Sequence, residues 1–282
     1  MAVGLSLAGA AIMTGLVNQP LRQLYNAIRQ VHRGDYTTVH LDENVSTQEL
    51  RQVNQGFNAM LDQLAKVEQD RAIMLAGISH DLRTPLARVR LEVEMSMPDE
   101  EARKLVAEDI EQMDGVINKF MDYARPESRR LMAINAADSI QAGATPYMHI
   151  EDMQLKLNVP AQLTVLGDDV ELKRLVANLL ENARRYGKSA DGITYVDLTA
   201  YSKSHMAYIT LRDHGAGVPA DILDRLTQPF FRADQARTSA VGSGLGLAIV
   251  KKIAEHMDGK LVLSNHRDGG LQAEIMLPLA KS

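Results

Sequence analysis

Residues 79–86 (Ser-His-Asp-Leu-Arg-Thr-Pro-Leu) place a histidine beside an acid, with a threonine one helical turn further on. Apolar residues around them recur every three or four positions, which predicts an amphipathic helix with His80 facing away from the apolar stripe. Asp81 could accept a hydrogen bond from one imidazole nitrogen and leave the other lone pair free. Thr84 should share the face of His80, and Pro85 should bend the helix nearby. This pattern fits an imidazole that accepts a phosphoryl group; an ordinary exposed histidine is the alternative.

A second group of candidate residues lies on a helix predicted over about 170–186. Asn178, Asn182 and Arg185 repeat at helical spacing on a face separate from its apolar residues. The amide oxygen of Asn182 could bind Mg²⁺, and the guanidinium of Arg185 could bind phosphate oxygens. A solvated helix face is the alternative for this stripe.

Two glycine-containing segments could approach a nucleotide closely. Asp213, followed by Gly215 and Gly217, ends a predicted strand, although a plain turn is the alternative. An ionised carboxylate only accepts hydrogen bonds, so Asp213 would favour adenine, whose exocyclic amino group donates. The second segment, 242–246 (Gly-Ser-Gly-Leu-Gly), opens an apolar helix whose free amides could bind phosphates. Its spacing does not match the dinucleotide-binding pattern.

Residues 228–237 connect these segments and predict a mobile lid. Phe230 and its neighbour would provide an apolar anchor, and Arg232 and Arg237 would provide basic phosphate contacts. The segment 187–189 (Gly-Lys-Ser) imitates the end of a phosphate-binding P-loop. However, Asn182 stands where that motif needs its first glycine, so we reject this interpretation.

Composition limits the kinds of partner. At 282 residues, 45% of them hydrophobic, the chain can form about two domains. A net charge of -5 without a run of lysine or arginine argues against direct binding of nucleic acid. The absence of cysteine excludes disulfides and thiolate metal sites. Proteins and nucleotides are therefore the expected partners.

The beginning of the chain predicts contact with a membrane. Residues 2–21 carry no charged side chain, and arginines follow at 22, 29 and 33. We interpret residues 1–17 as the end of a transmembrane helix whose basic flank faces the cytoplasm. A signal peptide is the alternative, but it would require a basic start.

Helical periodicity divides the rest of the chain. Patterns at 21–31 and 50–67 flank a connector and predict a parallel homodimeric bundle, with a purely structural coiled coil as the alternative. The histidine helix and a helix at 106–124 predict a hairpin that ends near Pro126, and two hairpins would make a four-helix bundle. From about Leu131, short strands at 162–166, 193–200 and 207–212 alternate with helices, which predicts an α/β layer domain.

Taken in order, these motifs resemble those of the sensor histidine kinases of two-component systems, over nearly the whole chain. Residues 79–86 and 244–250 look most similar to the EnvZ-type osmosensor group. The resemblance implies a HAMP linker at 18–70 and a dimerisation and histidine-phosphotransfer hairpin at 71–126. It further implies an ATP-binding α/β sandwich of the Bergerat type at 127–282. Ala216 and Arg51 depart from the family, which often has proline and glycine there.

The resemblance implies an enzyme of the bacterial inner membrane, with this portion in the cytoplasm. It would transfer a phosphoryl group from ATP-Mg²⁺ to His80, with Asp81 orienting the imidazole, and then to an aspartate of a response regulator. Thr84 would help place the water that hydrolyses the regulator's phosphoaspartate. The implied nucleotide-binding residues, with Asn182 on the metal, are Asn178, Asn182, Arg185, Tyr186, Asp213, Gly215, Gly217, Phe230, Arg232, Arg237, Gly242, Gly244, Leu245 and Gly246.

Two other functions remain open at this stage. An ATPase of the same superfamily would pass the phosphoryl group to water, but such relatives place a catalytic glutamate where this chain has Asn178. A dimeric adaptor would bind nucleotide without catalysis, although the joint presence of His80, Asp81 and Asn182 argues against it.

Overall fold

The computed structural model describes residues 18–31, 39–45, 47–125, 131–232 and 242–280. The predicted membrane segment at 1–17 and Arg237 lie outside the described residues. Within the ranges given, no helix combines the length and apolar character needed to cross a bilayer. The chain divides into two units, one ending at Leu75 and one formed by the described residues from Ala76 onward.

The first unit contains α1 (Gln19–Val31) and the beginning of α2 (Gln48–Ser96). The connector between them is fixed to α2 by the amide of Asn58, which accepts from the backbone nitrogen of Leu41 and donates to its carbonyl, both at 2.9 Å. Leu41 and Val39 are buried with Ala27 and Leu61 in a small apolar core. This arrangement confirms two helices that flank a connector.

The second unit begins with a helical hairpin formed by the rest of α2 and by α3 (Glu100–Ala124). Asp99 caps α3, because its carboxylate accepts from the backbone nitrogens of Glu101 and Ala102. Pro85 lies inside α2, which remains helical on both sides, so the proline does not end the helix. The predicted hairpin is therefore confirmed, with its turn at 97–99.

The remaining residues form two sheets with helices on one side. Strands β1 (Met132–Asn135) and β3 (Thr164–Gly167) pair antiparallel. The larger sheet has the order β2-β4-β5-β7-β6, in which only β2 and β4 are parallel. Its strands are β2 (Met153–Asn158), β4 (Thr194–Lys203), β5 (Met206–Asp213), β6 (Lys260–Asn265) and β7 (Leu271–Pro278). The helices are α4 (Ala136–Ala144), α5 (Asp169–Tyr186) and α6 (Gly246–His256).

Alternating burial along β4, β5 and β7 shows how the sheet forms one side of the core. Every second side chain is buried toward the helices, where Leu172, Leu175 and Leu179 of α5 are at most 2% exposed. The predicted α/β layer structure is confirmed, and the predicted strands agree with β3, β4 and β5 except at their ends. This packing fixes the C-terminal end of α5 beside the end of β5.

Candidate functional site

His80 stands on the outer surface of α2. Its side chain is 82% exposed and that of Asp81 is 86% exposed, so the imidazole is accessible from outside, as predicted. The His80 Nδ1 and an Asp81 carboxylate oxygen are 3.5 Å apart, a close contact rather than a hydrogen bond. The hydroxyl of Thr84 donates to the backbone carbonyl of His80 at 3.1 Å, so both residues lie on one face.

Asp213 ends β5 and is buried, with 5% of its surface exposed. Its Oδ1 accepts from the backbone nitrogens of Gly215 at 3.0 Å and Leu271 at 3.1 Å. Burial raises the pKa of the Asp213 carboxyl, and these two hydrogen bonds oppose the rise. Because both backbone donors bind Oδ1, the second oxygen can accept a hydrogen bond from a ligand.

Glycines from three parts of the chain surround Asp213. A Cβ on Gly187, which follows α5, would lie 2.5 Å from the Cβ of Asp213. The φ of Gly270 is +89°, and a Cβ there would lie 1.7 Å from the Asp213 carbonyl oxygen. A Cβ on Gly215 would lie 2.8 Å from the backbone of Gly187. Gly217, with φ +72°, lies against Asn265 instead. Sequence reasoning missed the contributions of Gly187 and Gly270.

We expect Gly187→Ala to weaken ATP binding by about tenfold, equivalent to one hydrogen bond to a charged group, because the added methyl must displace the Asp213 carboxylate. Gly192→Ala is the control: its φ of +83° strains an alanine, but nothing lies within 4 Å of the added methyl. Calorimetric titration of both variants with ATP would measure the effect. Equal affinities for the two variants would show that Gly187 has no role in positioning Asp213.

The polar face of α5 leads from the Asp213 end of the site toward Asn178. Asn178 and Gly187 are nine positions apart, or about 14 Å along a helix axis. Arg185 pairs with Glu181 at 2.6 Å. The side chain of Asn182 is half-buried and has no hydrogen-bond partner among the described residues. Its amide oxygen can therefore accept a cation or a ligand donor.

The second glycine segment packs against this same helix. A Cβ on Gly242 would lie 2.2 Å from the hydroxyl oxygen of Tyr186, and one on Gly246 would lie 3.9 Å from Oδ1 of Asn178. Leu245 is fully buried and holds the start of α6 in the core, and no side chain caps that start. The α6 amides therefore begin beside the polar face of α5.

Phe230 connects the predicted lid to the glycine segment. Its backbone nitrogen donates to the carbonyl of Gly244 at 3.0 Å, and both residues have positive φ. A side chain on Gly244 would meet the Phe230 backbone at 2.8 Å. The ring of Phe230 lies 6.4 Å from that of Phe120 in α3. Arg232 is exposed at the end of this segment.

The α3 helix supplies further contacts that sequence reasoning missed. The Lys119 ammonium donates to Oδ1 of Asn178 at 2.8 Å, and Asn178 itself is 4% exposed. Burial lowers the pKa of Lys119, and the nearby Glu181 carboxylate opposes the shift. Arg174 donates to the carbonyl of Asp122. In this conformation, Asn178 is therefore bound by the hairpin.

The donor chemistry of α5 fits magnesium held together with a nucleotide. Magnesium prefers oxygen ligands and keeps few protein donors when phosphates are present. The oxygen of Asn182 has no protein donor among the described residues, and that of Asn178 already faces a cation, the Lys119 ammonium. No cluster of three acidic, histidine or cysteine side chains suited to a metal occurs in the part of the chain that the structure describes.

Sequence comparison identifies the class of the glycine-lined domain. The family described as histidine kinase-, DNA gyrase B- and HSP90-like ATPase matches residues 167–281. The His Kinase A (phospho-acceptor) domain matches residues 70–129, and the HAMP domain matches residues 12–66. The α/β unit is thus a HATPase_c domain. The whole chain has the HAMP, phospho-acceptor and ATPase domain organisation of the sensor histidine kinases.

Individual relatives agree with this organisation. The signal transduction histidine-protein kinase BaeS of Escherichia coli (strain K12) is 30% identical over 298 residues, covering 99% of this chain and 62% of BaeS. The histidine-protein kinase/phosphatase MprB of Mycobacterium avium (strain 104) is 29% identical over 288 residues, covering 95% of this chain and 54% of MprB. The chain therefore spans little more than half the length of these curated relatives.

One solved structure shares the fold over most of the chain. Full-length ShkA in complex with AMPPNP superposes with a TM-score of 0.58 at 23% identity. The match covers 75% of this chain and 47% of ShkA. The arrangement of a helical hairpin followed by an α/β domain is therefore a known one.

Proposed function

We propose that this chain is the cytoplasmic part of a membrane-associated sensor histidine kinase that phosphorylates itself on His80 from ATP. The observation that carries the proposal is the pairing, in one chain, of an exposed His80–Asp81 dyad with a buried carboxylate enclosed by glycines. Such a carboxylate suits an adenine amino group, and an exposed imidazole suits an acceptor reached by a separate domain. The similarity to BaeS and MprB, both named as histidine-protein kinases, supports it.

The bound nucleotide would lie along α5. Its adenine would donate to Oδ2 of Asp213, and its phosphates would meet the start of α6 together with Arg185, Arg232 and Arg237. Asn182, with Asn178 when Lys119 is displaced, would hold Mg²⁺. When bound, the ion would neutralise charge on the phosphate oxygens. Tyr186 and Gly242 would form the wall between the two ends of this site.

The side chains of α2 would carry out the transfer. The Nδ1 of His80 faces Asp81, so Nε2 is the nitrogen left to attack the γ-phosphorus. A nitrogen–phosphorus bond forms while the bond from that phosphorus to the β–γ bridging oxygen breaks, and the electron pair leaves with ADP. The imidazole proton on Nδ1 passes to Asp81, which leaves the phosphorylated ring uncharged and the negative charge on the phosphoryl oxygens.

The phosphoryl group would then pass to an aspartate of a response regulator receiver domain docked on the hairpin. We infer a homodimer, because one hairpin leaves apolar side chains exposed on both helices. They are Ile78, Leu82 and Val89 on α2 and Met113 and Val116 on α3. A second copy would bury them in a four-helix bundle. Attachment to the bacterial inner membrane would come through residues 1–17.

Thr84→Ala is expected to retain autophosphorylation at nearly the rate of the unaltered chain and to slow dephosphorylation of the phosphorylated regulator by about tenfold or more. The Thr84 hydroxyl lies on the face of His80, where it can hold a water, and its hydrogen bond goes to the His80 backbone carbonyl rather than to the ring. Thr84→Ser is the matched control, because it retains the hydroxyl. Time courses of regulator dephosphorylation with the three proteins would give the comparison. If Thr84→Ala dephosphorylates the regulator as fast as Thr84→Ser does, this role is refuted.

The direct test is incubation of the full chain with γ-labelled ATP and Mg²⁺, followed by acid and alkali treatment. Label on a histidine nitrogen is stable to alkali and lost in acid, unlike label on a serine hydroxyl. Label that survives alkali, is lost in acid and can be transferred to a receiver domain would establish the proposed activity. Nucleotide binding without label would favour the adaptor, and phosphate release without label would favour the ATPase.

A further inference from the structure

A lysine of the hairpin occupies the metal end of the nucleotide site. The Lys119 ammonium lies 2.8 Å from Oδ1 of Asn178, while Nδ2 of Asn178 donates to the carbonyl of Arg174 at 2.8 Å. Both the oxygen and the nitrogen of this buried amide are therefore hydrogen-bonded within the protein. An amide oxygen is also a ligand for Mg²⁺, so the Lys119 ammonium and a magnesium ion would compete for Oδ1 of Asn178.

Other contacts hold the hairpin against the ATPase domain without touching Asn178. The Lys252 ammonium of α6 donates to the backbone carbonyls of Tyr123 and Arg125, each at 3.0 Å. Its nitrogen also lies 5.7 Å from the centre of the Tyr123 ring. Lys252 therefore stabilises the docked hairpin through the end of α3, whereas Lys119 joins docking directly to a residue of the nucleotide site.

We propose that Lys119 is an internal competitor of the magnesium-bound nucleotide at Asn178. Docking of α3 then weakens binding of ATP-Mg²⁺, and binding of ATP-Mg²⁺ in turn releases Lys119 and loosens the hairpin, since coupling between two binding events is reciprocal. The competition is for the amide oxygen, so it depends on the metal. This inference rests on the proposed function, because it requires the domain to bind ATP-Mg²⁺.

The test is calorimetric titration of the full chain with the non-hydrolysable nucleotide AMPPNP, with Mg²⁺ and again with a chelator. Lys119→Met keeps an unbranched side chain up to the Cε position and removes the ammonium group. It should tighten magnesium-dependent binding by about tenfold and leave metal-free binding unchanged, as loss of one charged hydrogen bond would predict. Lys252→Met is the matched control and should produce a much smaller gain.

A double-mutant cycle with Asn178→Ala tests the mechanism itself. If Lys119 acts through this amide, Lys119→Met should have no further effect once Asn178 is alanine. Unchanged or weaker magnesium-dependent binding by Lys119→Met would overturn the inference. So would an equal gain from Lys252→Met, since docking alone would then explain it. In each case the proposed function would stand, whereas absence of any magnesium-dependent binding to the unaltered chain would overturn both.

Discussion

Asp213→Asn should lower the affinity for ATP by about 100-fold. The variant loses a hydrogen bond to a charged carboxylate and instead places two hydrogen-bond donors against each other. In the folded chain, Oδ1 of Asp213 accepts from two backbone nitrogens. An asparagine must keep its oxygen there to satisfy those donors, which places its amide nitrogen where Oδ2 was. That nitrogen donates, as does the adenine amino group, so the two groups repel each other. Titration with ATP would measure the loss.

The same variant should remain folded, which separates a binding effect from unfolding. Burial raises the pKa of Asp213, so the stability that this carboxyl contributes is fully present below its unfolded pKa. That contribution is lost as the pH rises through the folded pKa, above which the buried ionised carboxylate destabilises the fold. Asparagine is neutral at every pH. Thermal unfolding at neutral pH should therefore occur at the same or a higher temperature in the variant.

Two findings would contradict this account of Asp213. A variant that binds ATP as the parent does would show that the carboxylate does not contact the base. A variant that melts well below the parent at neutral pH would show that the charge of Asp213 stabilises the fold. Titration of the parent with GTP is the companion control, because the guanine carbonyl oxygen should be repelled by Oδ2.

Periodicity was sufficient to predict the elements that carry the chemistry. The apolar spacing around His80 predicted a helix with the imidazole outside, and its side chain is 82% exposed. The alternation from 193 to 212 predicted β4 and β5, whose end positions Asp213. Both signals are local, because burial of one face imposes a period of 3.6 or 2 on neighbouring residues. The predicted nucleotide-binding roles of Asn182, Arg185 and the glycines remain predictions.

Contacts between distant residues could not be read from such patterns. Gly270 approaches Asp213 because β5 and β7 pair with Arg212 opposite Gln272, a register set by the sheet and not by the sequence near either residue. The sequence marks Gly187 only as part of a P-loop-like segment, although its position directly after α5 brings it to Asp213. Lys119 lies on α3, and its partner Asn178 is 59 positions away on α5, so no local pattern in the sequence connects the two.

His80→Gln is expected to abolish phosphoryl incorporation completely while leaving ATP affinity unchanged. The lone pair on a glutamine amide nitrogen is delocalised into the carbonyl, so it cannot attack phosphorus as an imidazole nitrogen does. Glutamine favours helix, and the exposed position means that the exchange should alter stability by less than about 0.5 kcal/mol. Labelling with γ-labelled ATP, beside a titration with ATP, would measure both effects.

Asp81→Asn is the graded companion to that variant. It retains the nucleophile but removes the proton acceptor next to Nδ1, so label should appear more slowly, by about 100-fold, and not disappear. Residual label on His80→Gln would place the acceptor elsewhere. At an ATP concentration near the Kd of the parent, His80→Gln should show no label and Asp213→Asn very little, for opposite reasons: the first retains the ATP site without an acceptor, and the second retains the acceptor but binds ATP about 100-fold more weakly. Only their ATP affinities should distinguish them, which ties each loss to its own domain.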